Sequence, residues 1–189
     1  MGAVVQGSKY IGLRKKCAGE LCNRPLLAIA DGHKLLNNPR LTVEVVTAVR
    51  EAISPNTAVY FPFAPPHMFY ILAYMGVDIF DSSECIVKAV EGKLLTGGGV
   101  LDLAEMREIP CSCEACIGKS PREFKKDNIF RHNFNTTTKV MKEIREGIRK
   151  NRLAEVVEGR ASFDTKSMAM LRILNSKKCN FLEKYTSVG

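Results

Sequence analysis

The chain has 189 residues, 46% of them hydrophobic and 25% charged, with a formal net charge of +8. These are ordinary globular values that exclude a disordered or fibrous chain, and the longest strongly apolar stretch, Met68 to Phe80, is broken by Gly76 and Asp78 and is too short to cross a bilayer. No membrane contact is expected, no secretory signal is legible at Met1-Gly-Ala-Val-Val-Gln-Gly7, and the expected location is the cytoplasm, with the positive excess favouring a polyanionic partner.

In chain order, the first twenty-odd residues read as irregular, with one short strand and then a basic turn within Gly7 to Lys16. Pro25 to Asp31 is a short apolar run bounded by Pro25 and Gly32, the mark of a buried strand. Leu41 to Ala52 is helical by pattern, with Val45, Val46, Val49 and Ile53 near one face, and Ser54-Pro55-Asn56 breaks it. Thr57 to Phe63 is a second strand, rich in β-branched and aromatic residues. Pro65-Pro66 opens a helix that runs to Tyr74 and ends at Gly76. Val77 to Asp81 is a third strand, and Ser82 or Ser83 caps a helix over Glu84 to Glu91. Consecutive βαβ units imply a parallel sheet, either part of a (β/α)8 barrel or a doubly wound sheet. Both place active sites at the C-terminal strand ends, where Asp31 and Asp81 stand.

After Gly92 the character changes. Lys93 to Leu103 is a hairpin with a Gly-rich turn, and no Lys-Ser/Thr follows the glycines to make a phosphate loop. Then comes Cys111-Ser-Cys113-Glu-Ala-Cys116, with His132 further on. Three thiols and an imidazole suit the tetrahedral preference of Zn²⁺, and a closed four-ligand set implies a structural ion. The seven cysteines are an odd count that reads as metal binding in a reducing compartment. Cys17 and Cys22 have no further ligands nearby and read as unpaired thiols in a small turn. Phe134 to Arg152 reads as one long helix, with Val140, Met141, Ile144 and Ile148 on one face. Basic residues crowd the segment from Lys119 to Arg160, so a metal-stapled knob carrying a basic helix is expected to grip an RNA backbone. Met168 to Leu174 is helical by pattern, and Phe181 to Tyr185 reads as a short docking segment. The expected divisions are residues 1–92 for the β/α part, 93–152 for hairpin, knuckle and helix, and 153–189 for the tail. Among single residues, His33 reads as a surface residue, His67 as structural, and Tyr60 and Phe61 as core or as a stacking platform for a base.

Four separated motifs occur in order: Gly76-Val-Asp-Ile-Phe-Asp81-Ser, Glu91-Gly-Lys-Leu-Leu-Thr96, Pro110-Cys-Ser-Cys-Glu-Ala-Cys116 and Arg131-His132-Asn133. Together they resemble the C-terminal half of tRNA-guanine transglycosylases over roughly residues 24–152. The span 117–131 between Cys116 and His132 is shorter than that family carries. Arg24 to Asp31, Tyr60 to Pro66, Tyr74 to Asp78, Leu171 to Leu174 and Phe181 to Thr186 resemble the archaeosine synthase branch of the superfamily. The resemblance implies an α/β fold: a partial (β/α)8 (TIM-like) barrel, a zinc-binding subdomain held by Cys111, Cys113, Cys116 and His132, and a long C-terminal basic helix. It implies tRNA as partner and addition of lysine to the nitrile of 7-cyano-7-deazaguanine in the D-loop, on the way to archaeosine. Asp81 matches the family's nucleophile, so base exchange is the alternative, and a non-catalytic tRNA-binding scaffold is a third reading. No counterpart of the family's general base or base-recognition loop is found, which implies a partner protein chain supplying catalytic and RNA-binding parts. Association as a homodimer through the zinc subdomain is also implied.

Overall fold

A computed structural model describes residues 1–176 and 179–185. Four short strands, β1 (Ala3–Val5), β2 (Leu26–Ile29), β3 (Ala58–Phe61) and β4 (Ile79–Phe80), form one open parallel sheet in that order. The register aligns Val4 with Ala28, Ala28 with Tyr60, and Tyr60 with Ile79. Side chains alternate across a strand, and here one face is sealed while the other is not. Val5, Leu27, Ile29, Val59 and Phe61 are buried beneath the helices, and Phe80 stacks on Phe69 with ring centroids 4.2 Å apart. The intervening residues, Leu26, Ala28, Ala58 and Tyr60, are only half-buried.

Helices α1 (Ile11–Glu20), α3 (Pro39–Glu51), α4 (Pro66–Tyr74) and α5 (Ser83–Val90) connect or flank the strands, with a single turn, α2 (Gly32–Leu35), after β2. The expected helix at Leu41 to Ala52 begins slightly earlier because Asn38 caps it, its side-chain oxygen accepting from the Leu41 amide at 3.1 Å, and Pro39 occupies the first turn. Val43, Val45, Val46 and Val49 form its buried stripe.

The N-terminal segment differs from the expectation of irregular chain with a basic turn. It holds β1 and a ten-residue helix, α1, whose sequence Ile-Gly-Leu-Arg-Lys-Lys carries almost no amphipathic signal. Tertiary contacts fix it instead. Arg14 is fully buried, and its guanidinium donates to the Val5 carbonyl at 2.8 Å and the Ser8 carbonyl at 2.9 Å, tying α1 to the end of β1. The turn between them needs Gly7: its φ is 140°, and a Cβ there would lie 2.7 Å from the Arg14 amide nitrogen.

Beyond the sheet, β5 (Lys93–Thr96) and β6 (Gly99–Asp102) form the expected antiparallel hairpin around Gly97-Gly98. The long helix, α6, runs from Lys126 to Arg149, so it starts well before Phe134 and stops short of Arg152. Its first turns are polar except for Ile129 and the half-exposed Phe130, which hides their periodicity, and Asn151 closes the far end in a left-handed conformation at φ 54°. Ile148 is 57% exposed and does not continue the apolar face. Gly147 makes that contact, lying against Leu153 and Val156 of a further helix, α7 (Leu153–Ala161), that the pattern did not reveal. Helix α8 (Thr165–Leu174) is capped by Asp164, and α9 (Phe181–Tyr185) buries Phe181 in the main core. Thr186 lies outside the described residues.

Candidate functional site

Two constellations carry chemistry. The first is the thiol–imidazole cluster. Cys111, Cys113 and Cys116 come from the turn after the hairpin and His132 from the second turn of α6, and their ligand atoms all lie within 4.8 Å of one another. The Cys113 and Cys116 sulfurs are 3.4 Å apart, and His132 Nδ1 lies 3.1 Å from Cys116 and 3.8 Å from Cys113. A tetrahedral ion with metal–sulfur bonds of about 2.3 Å has ligand–ligand edges of roughly 3.7 Å, so these separations suit one ion at the centre. The imidazole is oriented for this. Its Nε2 lies 2.9 Å from the Leu95 carbonyl, which makes Nε2 the protonated nitrogen and leaves Nδ1 free to ligate. Burial pushes the His132 pKa down, against the pull of that carbonyl, so the ring is neutral, as ligation requires. Burial also pushes the Cys116 thiol far up, and the neighbouring sulfurs add to it.

Asn133, quoted above only as part of a motif, has a role that no spacing announced. It is fully buried, accepts from the Leu95 amide at 2.7 Å and donates to the Lys93 carbonyl at 3.1 Å. Both backbone groups of Leu95 are thus satisfied by adjacent side chains of α6, and the candidate ligand His132 is clipped to β5.

The second constellation is at the C-terminal edge of the sheet. Asp81 follows β4 on the same face as Ile79 and Tyr60, the face that the helices leave open. Its Oδ2 accepts from the Tyr60 hydroxyl and the Phe63 amide, both at 2.8 Å, and its Oδ1 accepts from the Ser83 amide at 2.8 Å. Burial raises the carboxyl pKa, but these hydrogen bonds outweigh it and hold the group below the ordinary carboxylate range. Tyr60 responds in the opposite sense, pushed up to about 12 by burial and then by its hydrogen bond to Asp81. The Ser83 side chain adds a further favourable interaction with the same carboxylate. Ser82 makes no side-chain cap; Asp81 itself receives the first helix amide. Tyr60 is therefore neither plain core nor free platform, whereas Phe61 is core.

The other strand-end groups are separate from this point. Asp31 pairs with Lys34 at 2.8 Å in solvent. His33 is exposed and meets the Phe63 ring edge-on at 6.0 Å. Asp78 accepts from the Val59 amide at 2.8 Å and lies 3.5 Å from Arg50, bracing β3 against β4. His67 is buried, and among the described residues Cys17 and Cys22 join no ligand cluster.

The queuine tRNA-ribosyltransferase (TGT) family model matches residues 1–165, and the chain belongs to this family. It is similar to archaeal tRNA-guanine(15) transglycosylases: 30% identical to that of Methanobrevibacter smithii over 98% of the chain, and 32% identical to that of Methanosarcina barkeri over 90%. The protein of Methanothermobacter thermautotrophicus is 31% identical over 98% of the chain. The matched parts are 30%, 37% and 30% of those relatives, so the chain spans about a third of their length. Among the described residues no helix is long and apolar enough to cross a membrane.

Proposed function

We propose that this chain is the nucleophile-bearing part of a cytoplasmic tRNA-guanine transglycosylase, with Asp81 as its catalytic carboxylate. The observation that carries this reading is Asp81's setting: a carboxylate at a strand's C-terminal end, held ionised by hydrogen bonds from Tyr60, Phe63 and Ser83, on the sheet face that the helices leave open. In base exchange, Asp81 Oδ1 attacks the ribose C1′ as the guanine N-glycosidic bond breaks, giving a covalent ribosyl ester. A proton must reach the departing base. The incoming base then displaces the carboxylate, and Asp81 is regenerated. Fixing the carboxylate before substrate arrives removes the cost of orienting it during reaction.

Cys111, Cys113, Cys116 and His132 hold a structural Zn²⁺ in this reading, which supplies folding energy to the knob and no open coordination position. Arg131, Lys139, Lys142 and Arg145 on α6 face tRNA phosphates. A partner chain brings the proton donor, the base-recognition loop and further RNA contacts.

Addition of lysine to 7-cyano-7-deazaguanine is a second reading. It is favoured by the structural work Asp81 already does, since its three hydrogen bonds join β3 to α5 without any chemistry. Asp81→Asn separates the two in the assembly purified from its host. Release of labelled guanine from tRNA should fall on the order of 10⁴-fold if Asp81 is the nucleophile. Undiminished modification by the variant would reject base exchange at Asp81 and favour lysine transfer.

A further inference from the structure

Phe63 combines two features that packing does not explain. Its φ is 55°, a left-handed conformation that glycine adopts freely and a bulky side chain adopts only under constraint. Yet its ring is 46% exposed and is not part of the main core. Strained residues of this kind cluster at functional sites, and this one touches such a site. Its amide donates to Asp81 Oδ2 at 2.8 Å, and its ring meets the exposed His33 edge-on at 6.0 Å. His33 is placed by a similar device. Asp31, two residues before it, also has a positive φ, 57°, and a Cβ at Gly32 would lie 2.8 Å from the Phe61 ring and 3.0 Å from the Pro62 carbonyl oxygen. The loops after β2 and β3 are therefore pressed together. The loop after β1 brings Lys9 and the exposed Tyr10 to the same edge of the parallel sheet, with the ammonium 5.8 Å from the ring centroid. Exposed rings and cations beside a carboxylate suit an unpaired stretch of nucleic acid, whose bases stack on rings while its phosphates meet cations.

The direction of attack says which base this is. Displacement at the ribose C1′ puts the departing guanine on the side of the sugar opposite the attacking carboxylate. A ring on the residue whose own amide holds that carboxylate lies on the near side, where the chain leads to the neighbouring nucleotide. We infer that Phe63, edged by His33, is the stacking site for the unpaired base next to the guanine being exchanged, and so a specificity-determining residue of the reaction. Every base has a π-face, so the pair selects a neighbour that has left the RNA stack rather than a particular base. The inference rests on the reading of Asp81 as nucleophile and deepens it by naming the RNA feature that the site grips.

Photo-crosslinking with the assembly purified from its host tests it. The probe is tRNA carrying 5-iodouridine at the target position or on either side of it, a base that couples to aromatic rings stacked on it when irradiated. The expected result is an adduct at Phe63 from one flanking position and none from the target position. Phe63→Gly suits the positive φ, keeps the amide on Asp81 and removes only the ring. It should abolish the adduct and lower kcat/KM for guanine release about tenfold, the loss of one stacked base, with the change carried by KM. Phe63→Tyr should restore both. An adduct at Phe63 from the target position would overturn the inference, because the ring would then hold the departing base. So would no adduct at Phe63 from either flank, or a loss in Phe63→Gly carried by kcat alone. The adduct forms without turnover, so it is read separately from the Asp81→Asn assay. A catalytically silent Asp81 with the flanking adduct present defeats base exchange and leaves the RNA contact standing.

Discussion

The sheet and the hairpin–helix knob are stabilised in opposite ways. The sheet side has a large continuous core, running from Val5 through Phe61 and Phe69 to Leu174 and Phe181. Among the described residues the knob's own cluster holds only Ala89, Leu94 and Ile129 as buried members, with Leu103, Met106, Ile109 and Phe124 packed against it. A cluster that small removes too little apolar surface from water to offset the entropy of ordering its loop. The knob compensates with directional bonds: the clip of His132 and Asn133 onto Leu95 and, in the proposed reading, ligation of an ion by the four clustered side chains. Hydrophobic burial tolerates small errors of fit, whereas ligation and buried hydrogen bonds fail when one atom is lost.

Metal removal breaks this comparison most sharply. Ligation in small zinc domains is worth on the order of 10 kcal/mol, so chelation should release the Cys111–Cys116 turn and the first turns of α6. Hydrogen exchange should show those amides losing protection while β2 and β3 keep theirs; equal loss in both regions would show that they do not fold by different means. Next in size is Phe61→Ala, which opens a cavity in the main core and should cost about 3–5 kcal/mol in urea unfolding, with zinc content by metal analysis unchanged. Asn133→Ala leaves the buried Leu95 amide unpaired, a penalty of about 1–3 kcal/mol; it should appear as local opening of β5 in hydrogen exchange and as weaker zinc retention under competing chelator. The smallest effect concerns pH. Asp81's folded pKa lies below its unfolded value of about 3.9, so its stabilisation is fully present above that value. It fades as pH falls through the lower folded pKa. The urea midpoints of the parent chain and Asp81→Asn should therefore differ at pH 7 and converge under strong acid; a constant gap would mean that the charge on Asp81 is not what stabilises.

Strands β2 to β4 and helices α3 to α5 were legible because each carries its own signal: a bounded apolar run, a proline at a first turn, a glycine after a last one. The cluster of Cys111, Cys113, Cys116 and His132 was legible because thiol and imidazole spacing is written locally. Helix α1 was not, since its stability comes from Arg14 reaching carbonyls of another segment. Helix α7 and the early start of α6 were missed for related reasons, the first packing through a glycine and the second leading with polar turns. Asp81's strand-end position could be read from the chain, but its three donors, from Tyr60, Phe63 and Ser83, are set by tertiary packing. So was Asn133's grip on β5, because nothing in Arg-His-Asn tells which carbonyl will lie opposite.

Helix α6 belongs to both regions: Ile129 lies in the knob's cluster, and Val140 and Ile144 lie in the main core. A helix advances 100° and about 1.5 Å per residue, so His132 and Val140 are locked in rotational phase as well as in distance. One residue inserted between them would swing the imidazole away from the three thiols or turn Val140 toward solvent. Length variation in this stretch must therefore come in near-whole turns, which makes the helix a ruler between the thiol–imidazole end and the carboxylate-bearing sheet.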